Sequence, residues 1–398
     1  MSVGRIDNST AQHSTADNRL NFPEKKILLI TLSGYCNYGT ILQRYVLSRI
    51  IESLGFEVHH LYDSIDKPNY FRDFRYYLMR PIKTLIKRML ALIGIRKYLD
   101  KEIRSRIFAN KIKMFAEKNI NHKIFMSYNE VLRADKSRWE EYNFVLTGSD
   151  QVWHNWSHTS TESEYYYLEF IPREKRVCYA PSFGISQIPE ADYEYHKKGL
   201  EGFNKLSCRE QEGVNLIKQI INKDAQFVLD PTLLLNASQW RELEKKPDID
   251  LPEKYLLTYF LGNITPEYEQ AIRQTARNLP IVKLYNRLHP DLPGYIPEVN
   301  EFLYLFNHAD FICTDSFHGT VFSINFGKNF IVFRRSQTGA EDTFGRIESI
   351  LASTNLTNHI YTPESNARPA EINYQEVNEK LNILRESSLK YLRDCLHV

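Results

Sequence analysis

Cysteine is scarce in this chain of 398 residues. The five present (Cys36, Cys178, Cys208, Cys313, Cys395) are scattered and odd in number. No two stand at the two-residue spacing of a zinc or redox motif, which excludes a disulfide framework and fits a reduced, cytosolic compartment. Long hydrophobic runs are also missing: nowhere do eighteen apolar residues follow one another, so no segment is expected to span a membrane. Neither sign of charge dominates, with 51 Lys and Arg against 49 Asp and Glu and a formal net charge of +2. That balance excludes a protein that coats nucleic acid over its whole surface, and no nucleic acid partner is expected. The N-terminus lacks the apolar core of a secretion signal; it is rich in Ser, Asn and Asp, and residues 1–23 read as a disordered leader.

What is present is enough for two globular domains: 42% hydrophobic, 25% charged and 13% aromatic residues, with 25 Tyr and 22 Phe. Such aromatic content suits large cores and surfaces that stack on sugars. Lys26 to Thr31 is a nearly continuous apolar run, the pattern of a strand buried on both faces of a parallel sheet. A turn-rich loop follows from Ser33 to Gly39. Leu42, Val46, Ile50 and Leu54 then mark one stripe of a helix that stops at Gly55, and Phe56 to Tyr62 reads as the next strand. The strand, helix, strand rhythm resumes at Tyr142–Leu146, Val177–Ala180 and Leu206–Cys208. A second series starts near Phe227 and runs through Tyr255–Leu261, Ile281–Tyr285, Phe311–Thr314 and Phe330–Phe333, with a helix from Glu301 to His308. The pattern predicts an α/β chain with two Rossmann-like domains, residues 24–222 and 223–370. A terminal helix within 371–398, from about Tyr374, is expected to pack on the outside of one domain.

One segment departs from this rhythm. Between Arg80 and Lys118 stand twelve Lys or Arg and three Asp or Glu, an excess of 12 − 3 = +9, with Ile82, Leu85, Ile86, Met89, Leu90 and Ile93 at helical spacing. A basic helical insertion near 80–118 suits either a helix packed on the first domain or a peripheral contact with an anionic membrane surface.

In open parallel sheets ligands bind beyond the carboxyl ends of the strands, which directs attention to four loops. In the first, Asn37 and Gly39 open a helix whose free N–H groups suit an anion, or serve as turn residues; no phosphate-loop Lys-Ser/Thr pair is present. In the second, Asp150 suits a base or a helix cap, and Trp153 and Trp156 suit sugar faces or core packing. In the third, Arg209 can bind a phosphate or carboxylate, or pair with Glu210 or Glu212. In the fourth, Ser316, His318 and Gly319 lie where a strand gives way to a helix, so His318 can donate a proton or meet a phosphate. Arg334, Arg335 and Arg346 follow and either add positive charge to the same cleft or are solvated.

Taken in order, Asn37-Tyr-Gly39, Gly148-Ser-Asp-Gln-Val-Trp153, Ser207-Cys-Arg-Glu210, Asp230-Pro-Thr232 and Thr314-Asp-Ser-Phe-His-Gly319 resemble the polysaccharide pyruvyl transferase family, over about Lys26 to Leu351. The resemblance implies two Rossmann-like domains facing a cleft, a GT-B-like glycosyltransferase architecture. It implies phosphoenolpyruvate as donor, and as acceptor a sugar of a cell-surface or exported polysaccharide, with a pyruvate ketal as product. By the same resemblance His318 is the general acid or phosphate contact and Arg209 the donor clamp. Arg335 is chosen over Arg334 for a basic residue that family members often carry after the next strand, frequently Lys. Asn37, Gly39, Ser316 and Gly319 line the cleft, and the position of Asp150 suggests a base for the acceptor hydroxyl. No cofactor is expected beyond the donor substrate, and no metal, since no His, Cys and Asp cluster has ligand spacing. A lipid-linked acceptor would add weight to a location at the inner face of the membrane. Two other classes stay open: a nucleotide-sugar-dependent glycosyltransferase of the same architecture, and a non-catalytic glycan-assembly protein. Which sugar is modified, at which hydroxyl pair, and the oligomeric state are not legible in the sequence.

Overall fold

A computed structural model describes residues 25–32, 34–35, 37–64, 96–154, 160–285, 293–336, 343–364 and 368–398. The leader, the stripe from Ile82 to Ile93 and Trp156 lie outside the described residues.

The first sheet has five parallel strands: β1 (Lys25–Ile30), β2 (Phe56–Tyr62), β3 (Lys123–Phe125), β4 (Phe144–Thr147) and β5 (Arg176–Cys178), in the order β3-β2-β1-β4-β5. The unbroken apolar run of β1 has a direct cause. Ile27 and Leu29 enter one core cluster, Leu28 and Ile30 the cluster on the opposite face, and all four are fully buried. A short parallel pair, β6 (Ser207–Cys208) with β7 (Gln226–Phe227), follows. The second sheet has four parallel strands: β8 (Leu256–Tyr259), β9 (Ile281–Lys283), β10 (Phe311–Thr314) and β11 (Asn329–Val332), ordered β11-β10-β8-β9.

Each order reverses direction once, between β1 and β4 in the first sheet and between β8 and β10 in the second. At such a reversal the connections leave on opposite faces and a crevice opens beyond the carboxyl ends. Seven helices set the surroundings of these crevices: α1 (Tyr38–Ser53), α2 (Arg96–Asn119), α3 (Gln211–Ile221), α4 (Val299–His308), α5 (Phe317–Asn325), α6 (Gly345–Ser353) and α7 (Tyr374–Leu396). The two units meet through α1 and α4. Tyr38, at the start of α1, stacks on Phe302 of α4 at 4.4 Å and donates to the Pro297 carbonyl at 2.7 Å.

Three placements differ from the sequence reading. The strand expected to open the second domain near Phe227 instead pairs with β6, so the β6–β7 pair straddles residue 223. The terminal helix does not pack on one domain alone. Tyr374 of α7 donates to the Ser323 carbonyl in the second unit, Tyr391 donates to the Cys178 carbonyl in the first, and Ser388 Oγ accepts from Leu229 N. In the described part of the basic segment, α2 buries Phe108, Ile112, Phe115 and Ala116, an i, i+4, i+7, i+8 stripe. Its cations Arg104 and Lys111 donate to the Gly294 and Ile296 carbonyls of the second unit. Residues 101–119 are thus a packed helix; the stripe on which the two readings turn lies outside the described residues. No helix among the described residues is long and apolar enough to cross a membrane.

Candidate active site

The four loops converge, three of them at the two reversal points and the one that carries Arg209 beyond β6. α1 pins the first pair: Gln43 Nε2 donates to Thr31 Oγ1 at 2.8 Å, Thr31 Oγ1 to the Ser149 carbonyl at 2.7 Å, and Arg44 Nη2 to the Thr31 carbonyl at 3.1 Å. These buried bonds hold the ends of β1 and β4 side by side. In the second unit, Asp315 fixes the end of β8 by accepting from Leu261 N at 2.6 Å and Gly262 N at 2.7 Å, and burial pushes its carboxyl pKa up.

His318 sits in the first turn of α5, which begins at Phe317, earlier than the apolar run suggests. Ser316 is the cap of that helix, its hydroxyl accepting from Gly319 N at 3.3 Å. Gly319 is required by a close approach: a Cβ there would stand 2.3 Å from Thr314 Oγ1. Gly39 answers a similar demand across the units, since a Cβ on it would lie 1.9 Å from His318 Nδ1. The imidazole therefore rests against the first turn of α1. Asn37 caps α1 by accepting from Gly39 N at 2.8 Å. Asn37, Gly39, Ser316, His318 and Gly319 are thus brought together, with both glycines set by packing and both polar caps occupied by backbone.

Arg209, Asp150 and Asp230 form a buried ion cluster beneath the imidazole. Arg209 Nη1 donates to Asp230 Oδ2 at 2.7 Å and Nη2 to Asp150 Oδ1 at 2.9 Å; its Nε lies 3.9 Å from Glu210 Oε2. Its side chain is fully buried. Both terminal nitrogens of the guanidinium expected to clamp the donor are committed to carboxylates of its own chain, and we assign it a positioning role. Asp150 is also committed. Thr40 Oγ1 donates to its Oδ2 at 2.8 Å and Gln151 N to its Oδ1 at 3.0 Å. Burial alone would raise its pKa, but Arg209, His318 and the Thr40 hydroxyl outweigh it and hold the carboxyl at about 2. A carboxylate so stabilised is a poor proton acceptor, so the geometry replaces the expected base with a counter-ion to Arg209.

Asp230 carries more than its place in the sequence disclosed. Its Oδ1 accepts from Thr232 N at 3.0 Å and Thr232 Oγ1 at 2.6 Å; its Oδ2, besides taking the Arg209 bond, lies 3.2 Å from Ser149 Oγ and 3.8 Å from His318 Nε2. The Asp-Pro-Thr triplet is the local signal: Asp caps a tight turn with one oxygen and leaves the other for the cluster. Burial lowers the pKa of His318, with Arg209 and Arg346 adding to that effect and Asp230 and Asp150 opposing it. The ring is neutral in the free protein at pH 7, and its Nε2 is buried without a hydrogen-bond partner.

Two other guanidinia are not saturated. Arg346, at the start of α6, is 7% exposed and donates only Nε to the Thr343 carbonyl, at 3.2 Å. Among the described residues no carboxylate pairs with it. Burial, with the nearby charge of Arg209, brings its pKa down to about 9, so it is charged at neutral pH. Arg335 Nε lies 3.9 Å from Asp315 Oδ2 and has no hydrogen-bond partner. Arg334 points elsewhere, paired with exposed Glu348 and placed over Phe344 at 4.2 Å, which favours Arg335 of the two. Phe317, next to His318, has Arg209 at 4.6 Å and Arg346 at 5.7 Å from its ring centroid. Trp153 is buried to 1% and stacks on Tyr167, so it belongs to the core and not to a sugar platform.

Comparison with known proteins follows this geometry. The family model described as "Polysaccharide pyruvyl transferase" matches residues 37–337, which take in all five motifs whole together with His318, Arg209 and Arg335. No curated protein matches the chain by sequence. Among solved structures, a putative UDP-N-acetylglucosamine 2-epimerase from Listeria monocytogenes is similar, at 11% identity and TM-score 0.47 over 93% of this chain and 90% of that one. UDP-GlcNAc 2-epimerase from Neisseria meningitidis gives 10% identity and TM-score 0.43 over 93% and 94%, and MurG of Acinetobacter baumannii 9% and 0.40 over 92% and 94%. At these values the likeness bears on neither substrate nor chemistry.

Proposed function

The chain belongs to the polysaccharide pyruvyl transferase family, and from that premise we propose that it transfers the pyruvyl group of phosphoenolpyruvate to two hydroxyls of a glycan sugar, forming a pyruvate ketal. The family as a whole implies a transferase. The observation that carries the finer reading is a buried imidazole whose Nε2 has no partner, within electrostatic reach of Arg346, which in turn feels the charge of Arg335. A donor with a phosphate and a carboxylate supplies what these cations lack.

The proposed reaction begins with proton transfer from His318 to the methylene carbon of phosphoenolpyruvate. The carbon–carbon double bond is consumed, a methyl group forms, and positive charge develops on the adjacent carbon. One sugar hydroxyl attacks that carbon and its proton returns to His318. The second hydroxyl displaces phosphate, and its proton leaves with the phosphate. Overall, a diol and phosphoenolpyruvate become a ketal and inorganic phosphate, with no redox change.

His318 is neutral before the donor arrives, so it must acquire a proton to act as an acid. An anion bound by Arg335 and Arg346 favours the imidazolium and raises its pKa. Donor binding is therefore coupled to proton uptake. Asp230 and Asp150, fixed by Arg209, are the counter-charges that hold the imidazolium in place. The acceptor is read as a sugar of a cell-surface or exported polysaccharide, and the site as one that works where phosphoenolpyruvate is available, inside the cell. No metal or cofactor takes part in the steps proposed.

The test incubates the chain with phosphoenolpyruvate and a mixture of glycan acceptors. Acceptor-dependent phosphate release and a ketal on the sugar are expected, and His318→Ala lowers the rate by about 10²-fold or more with the fold intact, in the range of general acid catalysis. Equal phosphate release by that variant would remove His318 from the reaction.

A further inference from the structure

We infer that Glu57, His59 and His122 form a binding site for one divalent transition-metal ion of the zinc class, separate from the active site and independent of the pyruvyl transfer proposed above. The construction follows from the sheet. Glu57 and His59 are two apart on β2 and so share one face of it. β3 pairs with β2 in parallel with Lys123 opposite His60, which puts His122 level with His59 across the ladder; His60 N donates to the His122 carbonyl at 2.9 Å. The imidazoles stack with centroids 5.0 Å apart and planes 18° apart. Glu57 Oε1 bonds His59 Nε2 and lies 3.9 Å from His122 Nδ1, and one ligand atom from each of the three residues falls within 4.8 Å of the others.

Zinc binds imidazole nitrogen and carboxylate oxygen at about 2.0–2.2 Å, so two of its ligand atoms stand at most about 4 Å apart. The cluster needs a movement of about 1 Å to close on an ion, and exposed His122 has the freedom to make it. Two imidazoles and one carboxylate select zinc and its transition-metal neighbours over magnesium and calcium, which favour oxygen ligands. A supporting group is present as well. Buried Tyr142 holds its hydroxyl 2.9 Å from His59 Nδ1, and as acceptor from Nδ1–H it leaves the Nε2 lone pair for the ion. The site lies on the body of β2 and not beyond its carboxyl end, where the catalytic loops gather. A bound ion would clip the three-residue edge strand β3 to β2.

The experiment is calorimetric titration of the tag-free full chain with Zn²⁺, repeated with Co²⁺ for its ligand-field absorption. One equivalent is expected to bind, unaffected by millimolar Mg²⁺. His122→Ala should weaken binding by at least tenfold, and Tyr142→Phe by about tenfold through lost orientation of His59. Because His122 is exposed, its replacement leaves the fold intact, and the four described cysteines (Cys178, Cys208, Cys313, Cys395) are buried away from added metal. Failure of the wild-type chain to take up zinc, or equal affinity in the His59→Ala/His122→Ala double variant, overturns the inference.

Discussion

Arg209 and Arg346 lie near the same phenyl ring, that of Phe317, yet they have opposite surroundings. Arg209 satisfies Asp150 and Asp230 with two short bonds and has Glu210 close by, whereas Arg346 has a single backbone carbonyl. Removing the first leaves two buried carboxylates without their cation; removing the second relieves a buried charge that lacks a counter-ion. Arg209→Ala is accordingly expected to destabilise the fold by about 3–5 kcal/mol, the usual consequence of breaking a buried pair, and Arg346→Ala by under about 1 kcal/mol. Urea unfolding of the two variants distinguishes them, and equal losses would mean that Arg346 has a structural partner after all. The same contrast explains why residue type alone does not separate Arg209 from Arg346 as a proposed donor clamp. An arginine after a strand looks identical in sequence whether carboxylates from distant segments saturate it or not, and Asp150 and Asp230 lie 59 and 21 residues from Arg209.

At the scale of elements, the strands that carry the site were readable because burial on both faces writes itself as an unbroken apolar run. β1, β2, β10 and β11 fall within one residue of the ranges read from the sequence. β3 escaped because it is a three-residue edge strand with half-buried side chains, too short and too exposed to leave a pattern. The β6–β7 pair was read as two strands of separate domains, since a parallel partner cannot be seen in either strand alone. The four loops and the residues Asn37, Gly39, Ser316, His318 and Gly319 were all legible, as they follow strands and precede helices. Their division of labour was not. Ser316 and Asn37 spend their side chains on caps, and the two glycines on contacts with Thr314 and His318, which only the assembled structure reveals.

For the whole molecule, the near-neutral charge conceals buried imidazoles that resist protonation. Burial lowers the pKa of His60, His318 and His359, and brings His196 down to about 4. With folded values below the unfolded value of about 6.5, the unfolded chain binds protons that the folded chain does not, so stability is full above about pH 6.5 and falls as the pH drops below it. Between pH 7.5 and 5.5 His196 alone removes on the order of 1 kcal/mol, the other three act in the same direction, and the urea midpoint should fall accordingly. A midpoint unchanged across that interval would mean that these rings are accessible to protons in the folded state.

The central claim concerns the donor, and calorimetric titration of the intact chain with phosphoenolpyruvate tests it most directly, run in two buffers of different ionisation enthalpy. The account predicts saturable binding with proton uptake, and at least a tenfold loss of affinity in Arg346→Ala. Saturation by a uridine diphosphate sugar with no binding of phosphoenolpyruvate would contradict it.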